Sequence, residues 1–334
     1  MPRLRSLVQT TVLAALTGTS GIVYAASRSR PGTGGAAAPT PPPGLPPGRL
    51  VDVPGRGEMF VREAPGPHSD SPVVVLLHGW MFAADLNWFT CYGPVSEVAR
   101  VIAVDHRGHG RGLRASEPFR LADVADDVAA LLRHLGTGPV VAVGYSMGGA
   151  VAQLLWQRSP DVVHGLVLCA TAASWADSPR NRLVWRGMGL LQVVLRVLPR
   201  FWWERLVHAQ VSGRLPFAVT RMINSETPPE VLELLPWLIG ELDRGSAEDV
   251  AEAGRELSRY DARGWLPSVD VPTAVVVTTR DQLVPPSDQR ALAARIPGAQ
   301  CYEVALDHDA AVADTGLFTA TLRKALDHVL DARP

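Results

Sequence analysis

The sequence predicts an α/β fold, a mostly parallel, doubly wound sheet with a helical cap inserted before its last strands. Three observations lead there. Short, continuous apolar runs occur at Val73–His78, Val101–Asp105, Val140–Ser146 and Gly165–Thr171, as expected of strands covered on both faces. Helical patterns alternate with these runs, which suits a layered α/β sheet. From 172 to 265 only helical stretches occur, and strand-like runs return at Ala274–Thr279 and Ala299–Ala305. The reading is a core of residues 49–171 and 266–334 interrupted by a cap of residues 172–265.

At the N-terminal end, Arg3 and Arg5 precede a mostly apolar stretch at 7–26, and Arg28 and Arg30 follow it. Residues 1–30 are read as a signal or membrane-anchor segment. Gln9, Thr10, Thr11, Thr17, Thr19 and Ser20 interrupt the apolarity, so the alternative is a polar tail on a cytoplasmic protein. Residues 31–48 read as a linker, because prolines at 39, 41, 42, 43, 46 and 47 favour extended chain. A tethered or exported domain, with membrane association through 7–26, is the expectation.

Arg49–Val53 and Glu58–Glu63 flank Pro54-Gly55-Arg56-Gly57, the pattern of a hairpin. Leu121, Val124, Val128, Leu131, Leu132 and Leu135 share one face at helical spacing, and Gly136 ends that run. In the cap, Thr227-Pro228-Pro229-Glu230 and Ser246-Ala247-Glu248-Asp249 carry helix-start signals. The same segment holds Trp185, Trp202, Trp203 and Trp237.

The balance of 32 basic against 33 acidic residues excludes an electrostatic case for nucleic acid. Lys324 is the only lysine, a bias typical of a GC-rich bacterial genome. Cys91, Cys169 and Cys301 lack metal-ligand spacing, so no metal and no disulfide framework is expected. Cys169 and Cys301 lie in strand-like runs and read as small buried hydrophobes. No organic cofactor is implied.

The strongest local signal is Gly144-Tyr145-Ser146-Met147-Gly148-Gly149, between the apolar run from Val140 and a helical stretch from Ala150 to Gln157. This is G-x-S-x-G in a strand–turn–helix setting, where a sharp bend lifts the Ser146 hydroxyl above the sheet edge. The following helix directs backbone N–H groups and partial positive charge toward it. A serine needs a base. His308, in Leu306-Asp307-His308-Asp309 beyond the last strand-like run, is the favoured base, with His78, His106 and His109 as competitors. His134, His164 and His328 sit on or beside helical stretches and read as packing or surface residues. Asp281 directly follows Ala274–Arg280 and is the favoured acid, with Asp177 as the alternative. The N–H groups of Met147 and Trp80 are the candidate oxyanion donors.

Taken together, Leu77-His78-Gly79-Trp80, Asp105-His106-Arg107-Gly108-His109-Gly110, Gly144 to Gly149, Asp281 and His308 resemble the α/β-hydrolase superfamily. The likeness is nearest to bacterial esterases, cofactor-free haloperoxidases and C–C hydrolases with helical caps. It implies a structural role for Asp105 to Gly110. Asp307 is a departure, since relatives commonly carry glycine before the histidine. The default expectation is a serine esterase acting on an apolar acyl or aromatic small molecule beneath the cap. C–C hydrolysis or perhydrolysis by the same residues is one alternative, and a non-catalytic binding protein is another. Epoxide hydrolases and haloalkane dehalogenases would call for aspartate at position 146.

Overall fold

Side chains alternate along a strand, so a strand sandwiched between two helical layers must be apolar at every position. In the computed structural model, which describes residues 40–175, 231, 233–242, 244–245 and 247–332, the apolar runs meet that condition. Strand β1 (Gly48–Val53) and β2 (Gly57–Ala64) form the hairpin, pairing antiparallel from Gly48↔Arg62 to Val53↔Gly57. Then follow β3 (Val73–Leu77), β4 (Arg100–Val104), β5 (Val140–Tyr145), β6 (Val163–Cys169), β7 (Thr273–Thr278) and β8 (Gln300–Val304). The sheet order is β1-β2-β4-β3-β5-β6-β7-β8, and β2 joins β4 antiparallel while β4 to β8 run parallel.

Along β3, Val73, Val75 and Leu77 enter one core layer while Val74 and Leu76 enter the opposite one. Helices α1 (Ala84–Trp88) and α2 (Tyr92–Ser96) follow β3. Helix α3 (Leu121–Leu135) follows β4, and α4 (Met147–Arg158) follows β5. The α3 stripe of Val124, Val128, Leu131 and Leu132 is buried, each such side chain contributing about 1.5–3 kcal/mol. Gly136 ends α3 in the left-handed region, at φ 63°, a conformation open to glycine without a Cβ clash.

Within the segment expected to form a cap, helices α5 (Leu235–Leu242) and α6 (Ala247–Leu257) are described. Trp237 and Leu238 bury against Ala83, Leu86 and Val312 of the core. Arg111 ties the layers by bonding Glu241 of α5 at 2.5 Å and Asp85 at 3.4 Å. Asp177, Trp185, Trp202, Trp203, Thr227–Glu230 and Ser246 lie outside the described residues. Further along, α7 (Pro286–Ala293) follows β7, and α8 (Ala310–Ala313) and α9 (Thr315–Asp331) follow β8.

Two expectations need correction. Cys301 is exposed, because β8 is the last strand of the sheet and positions 300, 301 and 303 face outward. The end of the proline-rich segment is also not free chain: Pro42 and Pro46 are buried, and Arg62 donates from Nη1 to the Pro46 carbonyl at 2.6 Å. The stretch 7–26 lies outside the described residues, among which no helix is long and apolar enough to cross a membrane.

Candidate active site

The bend between β5 and α4 is built by what its neighbours lack. A Cβ on Gly144 would lie 2.2 Å from the Gly148 carbonyl oxygen, and one on Gly148 would lie 2.1 Å from that of Leu77. Only hydrogen at both positions lets the helix start this close to β3. Ser146 takes φ 55° and ψ −116°, a rare conformation for a side-chain-bearing residue. Its N–H donates to the Cys169 carbonyl at 2.9 Å, which pins the bend to β6. Ser146 is buried at the carboxyl edge of the sheet.

The loops leaving β7 and β8 run alongside that bend. His308 Nε2 stands 3.0 Å from Ser146 Oγ, and His308 Nδ1 stands 2.8 Å from Asp281 Oδ2. Asp281 carries only acceptors, so Nδ1 donates and the Nε2 lone pair faces the serine hydroxyl. The Asp281 carboxylate has further donors. Oδ1 accepts the N–H groups of Leu283 at 2.9 Å and Val284 at 2.8 Å, and Oδ2 accepts Thr278 Oγ1 at 2.7 Å and Gln289 Nε2 at 3.2 Å. Burial pushes this carboxyl up, but the His308 charge and the hydrogen bonds outweigh it and hold Asp281 below its ordinary range. It is therefore an anion at neutral pH, able to orient an imidazole and stabilise its charged form.

The other candidates occupy the opposite wall. A Cβ on Gly79 would lie 3.4 Å from the Ser146 Cβ, so the end of β3 passes directly beside the serine. Asn87 of α1 accepts the Gly79 N–H at 2.6 Å and fixes that passage. Trp80 follows, and its indole donates from Nε1 to the Val250 carbonyl of α6 at 2.6 Å. Gly254, one turn along α6, leaves room for that indole. Met147 is the first residue of α4, next to Ser146, with its side chain buried in the core.

The competing histidines serve the scaffold. His78 Nδ1 donates to the Gly79 carbonyl at 2.8 Å and its Nε2 accepts the His106 N–H at 2.9 Å. The His78 and His106 rings lie 4.0 Å apart, and His109 lies 5.6 Å from His78. Burial pushes His106 down to about 3 and His109 to about 4, and holds His78 well below its usual value. Each is neutral when folded and charges when unfolded, so the unfolded chain binds more protons below about pH 6.5. Stability is expected to fall as pH drops from 6.5 toward 4. Asp105, which burial pushes up to about 6, opposes this in the same window by holding its proton when folded. With three histidines against it, a net loss of at least about 1.4 kcal/mol per pH unit is expected from urea unfolding at graded pH. A flat profile would contradict the neutral cluster.

Asp105 itself is structural, accepting the N–H groups of Ala84 at 2.7 Å and Arg111 at 2.8 Å. Thr278, Gln289 and Asn87 escaped the sequence reading. Each acts through a side-chain hydrogen bond within three to eight residues, and no motif marks such a residue.

A family model described as alpha/beta hydrolase fold matches residues 72–307. The chain is 27% identical over 202 residues to 3-oxoadipate enol-lactonase 2 of Acinetobacter baylyi, covering 59% of this chain and 67% of that protein. It is 29% identical over 233 residues to a pimeloyl-[acyl-carrier protein] methyl ester esterase of Neisseria meningitidis, covering 68% and 81%. Among solved structures, a thermophilic esterase from Thermogutta terrifontis superposes with a TM-score of 0.64 at 28% identity, covering 85% of this chain and 99% of the esterase.

Proposed function

Since the chain belongs to the α/β-hydrolase fold family, we propose that it is a serine hydrolase of carboxylic esters, or of related acyl compounds such as lactones and thioesters. One observation carries this reading: Ser146 Oγ, the His308 ring and the Asp281 carboxylate stand in series at 3.0 and 2.8 Å. The relatives named for enol-lactone and methyl ester substrates support it.

In this reading Ser146 Oγ bonds to the acyl carbon as His308 Nε2 takes the hydroxyl proton. The carbonyl electron pair moves onto oxygen, where the amide N–H groups of Trp80 and Met147 receive it. Collapse of that oxyanion breaks the bond to the alcohol, which leaves with the proton from His308. Water then attacks the acyl-enzyme, giving its proton to His308, and the acid departs as Ser146 regains a proton. Asp281 holds the imidazole in the required tautomer throughout. Helix α6 lies over the site through Trp80, whose indole bonds its Val250 carbonyl and joins it to the oxyanion wall.

A panel of p-nitrophenyl esters of graded acyl length tests the reading. Turnover with a clear optimum in chain length is the expected outcome. A folded protein that binds such esters but hydrolyses none would instead be a binding member of the fold.

A further inference from the structure

The Asp307 carboxylate bonds to residues of two different loops at the site. Oδ1 accepts the main-chain N–H of His308 at 2.7 Å and that of Gln282 at 2.9 Å. Oδ2 accepts Gln282 Nε2 at 3.0 Å. Gln282 is the residue after Asp281, so one side chain grips both the β7 loop and the β8 loop. Main-chain bonds from Thr279 N to the Val304 carbonyl (2.8 Å) and from Arg280 N to the Leu306 carbonyl (3.0 Å) already lay these loops side by side. Those bonds stop one residue short of Asp281, and the Asp307 carboxylate supplies the next tie.

The consequence is a fully specified turn. The consecutive N–H groups of Gln282, Leu283 and Val284 are all taken, the first by Asp307 and the other two by Asp281. His308 is anchored at both main-chain groups, its N–H by Asp307 and its carbonyl by the Tyr145 hydroxyl at 2.7 Å. With its backbone held at both ends, the imidazole has little freedom to leave the line between Asp281 and Ser146. We propose that Asp307 is a positioning residue that sets the placement of His308 relative to Asp281. The proposal rests on the serine-hydrolase reading above. Asp307 acts through the two loops, and none of its bonds reaches Ser146 Oγ.

Loss of such a tie changes reactivity at the serine more than affinity for substrate, because small misplacements in a relay are costly in rate. The test compares Asp307→Ala, Asp307→Asn and Gln282→Ala with wild type, by p-nitrophenyl ester kinetics and by the rate of labelling with a fluorophosphonate. Asp307→Ala is expected to lower kcat and the labelling rate about tenfold, with KM changed less than twofold. Asp307→Asn keeps an oxygen that accepts both main-chain N–H groups and is expected to stay within about threefold of wild type. Gln282→Ala removes one bond of three and should cost about threefold in labelling rate, a result that decides the question even if Asp307→Ala fails to fold. Unchanged kcat in Asp307→Ala, an asparagine variant as slow as the alanine one, a loss confined to KM, or an unchanged labelling rate in Gln282→Ala would each overturn the proposal. Ser146→Ala, run in parallel, separates the two levels. Turnover that survives in it overturns the hydrolase reading and the role of Asp307 together. Turnover abolished there but intact in Asp307→Ala overturns only the positioning role.

Discussion

Ser146→Ala is expected to fold as wild type does and to turn over esters at least about a thousandfold more slowly. The substitution removes one oxygen and leaves the bend intact, since alanine tolerates φ 55° no worse than serine does. Gly144, Gly148 and the bond from residue 146 N–H to the Cys169 carbonyl are untouched, so melting temperature and circular dichroism should match wild type. What disappears is the hydroxyl oxygen that stands 3.0 Å from His308 Nε2 and that the proposal makes the acyl acceptor. The amides of Trp80 and Met147, proposed as oxyanion donors, are unchanged, which is why some residual rate over water is expected rather than none. A loss of only tenfold in a well-folded variant would mean that another group carries the reaction.

The second large effect concerns stability. Gly148→Ala is expected to destabilise the fold by about 3 kcal/mol or more, at the upper end for overpacking a core. The added methyl would meet the Leu77 carbonyl oxygen at 2.1 Å, its carbon at 2.5 Å and the His78 carbonyl oxygen at 2.7 Å. These are backbone atoms at the end of β3, which is hydrogen-bonded to β4 on one side and β5 on the other. No rotamer change relieves the contact, so either α4 or β3 must move, and the serine bend moves with it. Gly93→Ala is the control. Gly93 lies in α2 with open space around its Cβ direction, and alanine there should be neutral or stabilising by up to about 1 kcal/mol. Equal urea midpoints for the two variants would contradict the close-approach explanation.

Much of this was legible from sequence because continuous apolarity and glycine spacing are local signals. The runs from Val73, Val101, Val140 and Gly165 announced buried parallel strands, and all appear within two residues of the expected limits. Gly144-x-Ser146-x-Gly148 announced the bend, because the clashes that demand glycine there arise within the strand–turn–helix unit and from the adjacent strand. Asp281 and His308, which the structure brings to 2.8 Å of each other, were legible as candidates because each lies in a loop leaving a strand at the same sheet edge. What the sequence hid depends on how segments fold onto one another. Nothing near Gln289 indicates that its amide turns back eight residues to Asp281, and nothing near Trp80 indicates that its indole bonds a carbonyl 170 residues away. Cys301 was misread for a related reason: an apolar run suggests a strand but not whether that strand ends the sheet.

The most direct measurement is the site of covalent capture by a fluorophosphonate, read as intact mass and then as the modified peptide. One adduct on the peptide holding Ser146 is expected, absent from Ser146→Ala and formed far more slowly in His308→Ala. A correctly folded wild-type protein that takes up no label, or takes it at a different residue, would contradict a reactive serine served by the imidazole of His308.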